Sequence, residues 1–198
     1  MTKLEAANKQ EYRSVALLGT TKESEGVYKV EGYATTFNRY ELFESDGIKY
    51  YEQIDRNAFV GADMSDVIMQ YDHEGRVLAR KTNGTLTITP NQYGLFIKAD
   101  LSKSSAGKEL HKDITSGLVT KMSWAFTVAE DSYDKDTRTR IIKRIKKVYD
   151  VSAVSIPAND QTSISVESHL DGETRKRANE RRRTRLRLQV KLLEMEFM

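Results

Sequence analysis

The chain has 198 residues, a formal net charge of +3, 38% hydrophobic and 31% charged residues, and no cysteine. That suffices for one globular domain with an appendage, and the missing cysteines exclude disulfides, thiolate metal sites and a cysteine nucleophile. No apolar run of about 18 residues occurs, so no membrane span is expected, and the opening "MTKLEAANKQEYRS" lacks the apolar stretch of a secretory signal.

Residues 1–11 read as an N-terminal arm. After it, "EYRSVALLGT" and "GVYKVEGYATTF" are rich in Val, Tyr and Thr and are separated by a polar break, the pattern of two strands. "GIKYYEQI" reads as a further strand, and "DRNAF" as a turn into a short helix with Asp55 or Asn57 as its cap. "DVIMQYDH" is a short apolar run that ends in polar residues. "RVLARK", "GTLTIT" and "GLFIKADL" follow as strands, with the turn dipeptide Asn83-Gly84 between the first two. One helix interrupts them: "SSAGKELHKDITSGL" starts in serines, ends near Gly117 and places Leu110, Ile114 and Leu118 on one face. "KMSWAFTV" is a strand whose Met122, Trp124, Phe126 and Val128 alternate, and "TRIIKRIKKVYDVSAVSIP" is a long strand or hairpin closed by Pro157.

The end of the chain differs from the body. "ESHLDGE" reads as a linker. The segment from about Thr174 to Met198 consists of helix formers with a stripe of Leu186, Val190, Leu193 and Phe197, an amphipathic helix. Residues 173–198 hold nine Lys/Arg against four Glu, which leaves the preceding 172 residues at −2, so the basicity belongs to the tail.

Phosphate-binding glycine loops, HExxH and GxSxG are all absent, and the three histidines are too dispersed for an ordinary zinc site. No cofactor or metal is called for, which leaves metal-free chemistry or plain binding. His111 reads as a solvated helix position, and His169 falls in the linker. His73 closes an apolar run, where a side chain can reach a neighbouring strand. Ser123 alternates with the apolar residues of its strand: it is an ordinary strand serine, or a nucleophile held on a rigid element. A serine hydroxyl needs an adjacent imidazole to take its proton, and the imidazole needs a partner that fixes its tautomer. Asp150 interrupts an apolar strand, where an acid is unfavourable unless paired or exposed, and is a candidate for that partner. Lys121 shares a face with Ser123 and is a candidate oxyanion partner or alternative base. A Ser–Lys dyad would need a neutral lysine. From the residues alone the triad, the dyad and the bland readings all stay open.

Taken in order, "GYATTFN", "YDH", "KMSWAF" and "DVSAVSIPAND" resemble the prohead (capsid maturation) serine proteases of tailed phages found with the HK97-type capsid protein. The resemblance spans about Tyr12 to Ser165. It implies a serine endopeptidase with a fold similar to the herpesvirus assemblins, a mainly β (α+β) closed β-barrel with helices around it. The C-terminal basic amphipathic helix would be appended to it. It implies Ser123 as nucleophile, His73 as general base and Asp150 as the residue orienting His73. Lys121 departs from the family, which often has glycine there. The implied organisation is an arm at 1–11, a protease domain at 12–166, and a linker with a basic recruitment helix at 167–198.

The resemblance further implies the major capsid protein and scaffold segment as substrates, self-association, and action inside the assembling procapsid in the host cytoplasm. The competing class is a catalytically silent β-barrel scaffold or capsid-interior protein with an oligomerising or nucleic-acid-binding tail. The arginines favour phosphate contact of a non-specific, salt-sensitive kind, with no aromatic residues interleaved for base stacking.

Overall fold

The computed structural model describes residues 10–15, 18–20 and 28–155. The linker, His169 and the basic segment lie outside the described residues. Among the described residues there are eleven strands and one helix, so the mainly β expectation holds. The strands are β1 (Glu11–Val15), β2 (Leu18–Thr20), β3 (Lys29–Thr36), β4 (Tyr40–Ser45), β5 (Ile48–Ile54), β6 (Ile68–Tyr71), β7 (Glu74–Arg80), β8 (Leu86–Pro90), β9 (Gly94–Asp100), β10 (Lys121–Asp134) and β11 (Thr139–Val154). The helix, α1, is Ser105–Thr115.

The closed barrel expected from the resemblance is not found. The strands form a seven-stranded sheet, with the path β1-β10-β11-β5-β4 and β6–β7 joined to it, and a four-stranded sheet ordered β2-β3-β9-β8. The reason lies in β11, whose outer edge is shared. Its first residues, Thr139 to Ile142, pair in parallel with β5, while Asp150 and Ala153 pair in parallel with β6. The sheet therefore forks along one long strand. The β10–β11 ladder is also interrupted by irregularities from Ala125 to Asp131, which bend and coil it.

The core centres on β10. Trp124 is fully buried and stacks on Phe126 at 3.9 Å between ring centroids, with the tilted Phe59 ring 5.7 Å away. Every residue from Met122 to Val128 is buried. The alternation of "KMSWAFTV" thus marks a strand correctly, but its second face is covered as well.

Other expectations are refined. "DRNAF" forms successive turns with no helix; Asp55 Oδ1 accepts the Asn57 N–H at 2.8 Å, a local bond that favours a turn. β4 was not anticipated. The helix is capped by Ser104, whose Oγ accepts the Gly107 N–H at 3.0 Å. It ends in a Schellman arrangement, Gly117 N–H to Ile114 O and Leu118 N–H to Asp113 O, with Gly117 at φ +77°. That turn sends Leu118 outward, 76% exposed, so Val119 joins Leu110 and Ile114 in the core in its place. His111 is buried rather than solvated and meets the Tyr28 ring edge-on at 5.4 Å.

A buried ion cluster fastens the edge strand β1. Arg13 Nη2 lies 2.7 Å from carboxylate oxygens of both Glu11 and Glu52, and its Nε also bonds Glu52. Arg140 Nη1 and Nη2 reach Glu11 at 2.6 and 2.9 Å, while its Nε bonds Asp131 at 2.6 Å. The Tyr40 hydroxyl donates to Glu52. Burial alone would weaken the charge on Arg13, but Glu52 and Glu11 outweigh it and push the guanidinium pKa up. Buried charges persist only when paired in this way.

Candidate active site

β1, β10 and β11 lie side by side, and their registers place residues in rows. Tyr12, Ala125 and Asp150 form one row; Ser14, Ser123 and Ser152 form the next. Partners across a ladder share a face, as do residues two apart along a strand. Ser123, Ser152 and Asp150 are therefore on one face of the sheet, with Ser123 and Ser152 fully buried and Asp150 5% exposed. Buried polar residues in mid-sheet are informative, since such positions normally hold apolar side chains.

His73 comes to this face from a hairpin. Tyr71 pairs with Glu74, so Asp72 and His73 are the two turn residues between β6 and β7, and β6 in turn pairs with β11. The turn delivers His73 Nδ1 to 2.6 Å from Asp150 Oδ1. The Tyr12 ring meets the imidazole edge-on, with centroids 4.7 Å apart and planes at 75°. Tyr12 and Asp150, which contact the imidazole, flank Ala125 in the register, two residues along β10 from Ser123.

A carboxylate only accepts, so Nδ1 is the donor in the bond to Asp150. Ser152 Oγ donates to the same Asp150 oxygen at 2.9 Å. His73 Nε2 and Ser123 Oγ are both buried and make no hydrogen bond. Burial and the Asp150 charge push the Tyr12 phenol up, which keeps it neutral.

Of the residues singled out in sequence, His73 and Asp150 are in direct contact and Ser123 is on their face, without a His73–Ser123 hydrogen bond. Hydrogen bonds of this kind are often formed only when a reactant is bound. Lys121 is on the same face two residues before Ser123, opposite Val154 and half-buried. It makes no ion pair among the described residues. No group of metal-ligating side chains occurs among the described residues.

Three residues at the site escaped the sequence reading. Ser152 carried a signal, since "DVS" puts it two residues from Asp150 and hence on the same face. Asp72 is adjacent to His73 but looked like ordinary turn chemistry. Tyr12 had no local signal, because its approach depends on the β1–β10 register.

The model of the family described as caudovirus prohead serine protease matches residues 17–177. The chain is 29% identical over 143 residues to the prohead protease of Enterobacteria phage HK97, covering 72% of this chain and 61% of that protein. It is 26% identical over 152 residues to the prohead protease of Escherichia phage T5, covering 77% of this chain and 69% of that one. The chain thus spans about three fifths of the length of the HK97 protein. No solved structure matches it. With the family match running through the turn that carries His73 and the strands that carry Ser123 and Asp150, the chain belongs to the caudovirus prohead serine protease family.

Proposed function

We propose that this chain is a serine endopeptidase that cleaves capsid protein and scaffold segments inside the assembling procapsid in the host cytoplasm. Ser123 is the nucleophile, His73 the general base and Asp150 the residue that orients His73. The observation that carries the reading is the mounting of His73. Its Nδ1 is held by Asp150 at 2.6 Å and its ring by Tyr12, while its Nε2 and the Oγ of Ser123 are both buried and unpaired.

The chemistry follows from these positions. Nε2 takes the Ser123 proton as Oγ attacks the scissile carbonyl carbon. Asp150 supports the imidazolium that results without itself being protonated. Collapse of the tetrahedral intermediate breaks the C–N bond, and Nε2 returns the proton to the leaving amine. Water, deprotonated by the same nitrogen, then releases the acyl group from Ser123. Lys121 takes no part in proton transfer in this reading; its charge is available to a developing oxyanion. The basic segment at 173–198 fits recruitment or self-association within the shell.

The test is co-expression of the chain with its major capsid protein, with products read by intact mass. Processing by the wild type and its loss in Ser123→Ala is the expected result. Equal processing in both would end the protease reading in favour of a silent scaffold.

A further inference from the structure

Two hairpins among the described residues have positive φ at both central turn positions. Asp46 and Gly47, between β4 and β5, have φ of +52° and +73°. Asp72 and His73, between β6 and β7, have +50° and +61°. Such turns suit Asp-Gly well. In the second, a histidine stands where the first has glycine, and a side chain there is strained. Strain of this kind persists only where surrounding contacts impose it.

Those contacts are visible. The Asp72 N–H donates to Ala153 O at 2.9 Å. The Ser155 N–H and hydroxyl each donate to one oxygen of the Asp72 carboxylate, both at 2.8 Å. Three bonds thus join the turn to the end of β11, the strand that carries Asp150. The Asp72 N–H bond belongs to the β6–β11 pairing through Ile68 and Tyr71, so the two Ser155–Asp72 bonds are not needed to hold the hairpin on the sheet. What they add is a fixed turn conformation.

We infer that Asp72 and Ser155 form a clip that positions His73 against Asp150, making Asp72 and Ser155 positioning residues for the base. The inference rests on the protease reading of His73. Both members of the His73–Asp150 pair are then mounted on one strand, Asp150 directly and His73 through the clip. Their separation then depends chiefly on β11, with the Tyr12 ring of β1 as a further contact on the imidazole.

The experiment uses the full chain and three variants. Asp72→Gly keeps the positive φ and removes the carboxylate; Ser155→Ala removes one donor and leaves the turn untouched; Asp72→Asn keeps an acceptor for the Ser155 N–H. Two readouts are taken: the initial rate of capsid-protein cleavage, and the imidazole N–H proton resonance of His73, identified by its loss in His73→Gln. Asp72→Gly is expected to slow cleavage roughly 10- to 100-fold, the range for a misplaced catalytic group, and to broaden or shift the resonance. Ser155→Ala should produce a smaller change in the same direction, and Asp72→Asn should recover part of the loss. Wild-type rates and an unaltered resonance in both Asp72→Gly and Ser155→Ala would overturn the clip. So would slower cleavage that follows a lower thermal midpoint while the resonance stays intact. If Ser123→Ala cleaves as well as the wild type, the protease reading fails, yet the resonance still reports whether the clip orders His73.

Discussion

Ser123 on β10 and Ser152 on β11 lie directly opposite each other, both fully buried, but only one hydroxyl is engaged. Ser152 donates to Asp150 at 2.9 Å, while Ser123 has no partner. The structure thus distinguishes two serines that are equivalent in register. Ser123→Ala should lower the cleavage rate roughly a thousandfold or more, as loss of a nucleophile does. Ser152→Ala should lower it only about tenfold, because it removes one of two donors to a charged acceptor. Cleavage kinetics of the two variants decide the matter. A larger loss at Ser152 would exchange their roles.

Asp150 is 77 residues from His73 in sequence and 2.6 Å from it in space. Replacing its carboxylate by an amide keeps the shape but permits the amide nitrogen to face Nδ1, which would move the proton to Nε2 and remove the base. Asp150→Asn is therefore expected to slow cleavage by roughly three to four orders of magnitude. Substrate affinity and thermal midpoint should change little. A loss below about tenfold would mean that His73 does not depend on Asp150 for its tautomer.

How much of this was legible in sequence depended on whether the signal was local. The alternation at Met122, Trp124 and Phe126 disclosed β10, and the apolar flanks of Asp150 marked it as an acid needing a partner. The burial of the second face of β10 was not legible, because it depends on tertiary packing and not on the local pattern. β4 escaped because "YELFES" buries only Leu42 and has no clean alternation. The ion cluster escaped for a related reason: Glu11 and Arg140 are 129 residues apart, and charged residues in strands look solvated until the register is known. The closed barrel was inferred from family likeness, and nothing in the residues of β11 announced that its edge would be divided between β5 and β6.

Lys121 separates the triad from a Ser–Lys dyad. It occupies the Ser123 face but is half-buried and without an ion pair among the described residues. A lysine base must be neutral, which calls for full burial or a neighbouring cation. Lys121→Met is therefore expected to slow cleavage by less than about tenfold, consistent with an electrostatic contribution alone. The measurement is the rate at fixed capsid-protein concentration beside His73→Gln. A near-complete loss at Lys121 with a mild effect at His73 would transfer the base to Lys121.

The ion cluster predicts an acid limit to stability through Glu11. Burial would raise the Glu11 carboxyl, but hydrogen bonds and charge from Arg140 and Arg13 outweigh it and hold the group below the ordinary value of 4.5. The folded chain therefore releases this proton more readily than the unfolded chain. The stabilisation is complete above the ordinary value and is lost as pH falls through the lower folded value. Urea unfolding of the wild type should give a flat midpoint near neutrality that declines on acidification below about pH 4.5. Glu11→Gln should remove this group's share of the decline. At neutral pH it should destabilise by about 3 kcal/mol, the low end for breaking a buried pair, because Arg13 keeps Glu52, and Arg140 keeps Glu52 and Asp131. Since β1 also carries Tyr12 against His73, the same variant should slow cleavage before it unfolds the chain. Identical acid slopes in the wild type and Glu11→Gln would show that the cluster does not draw its stability from this carboxylate.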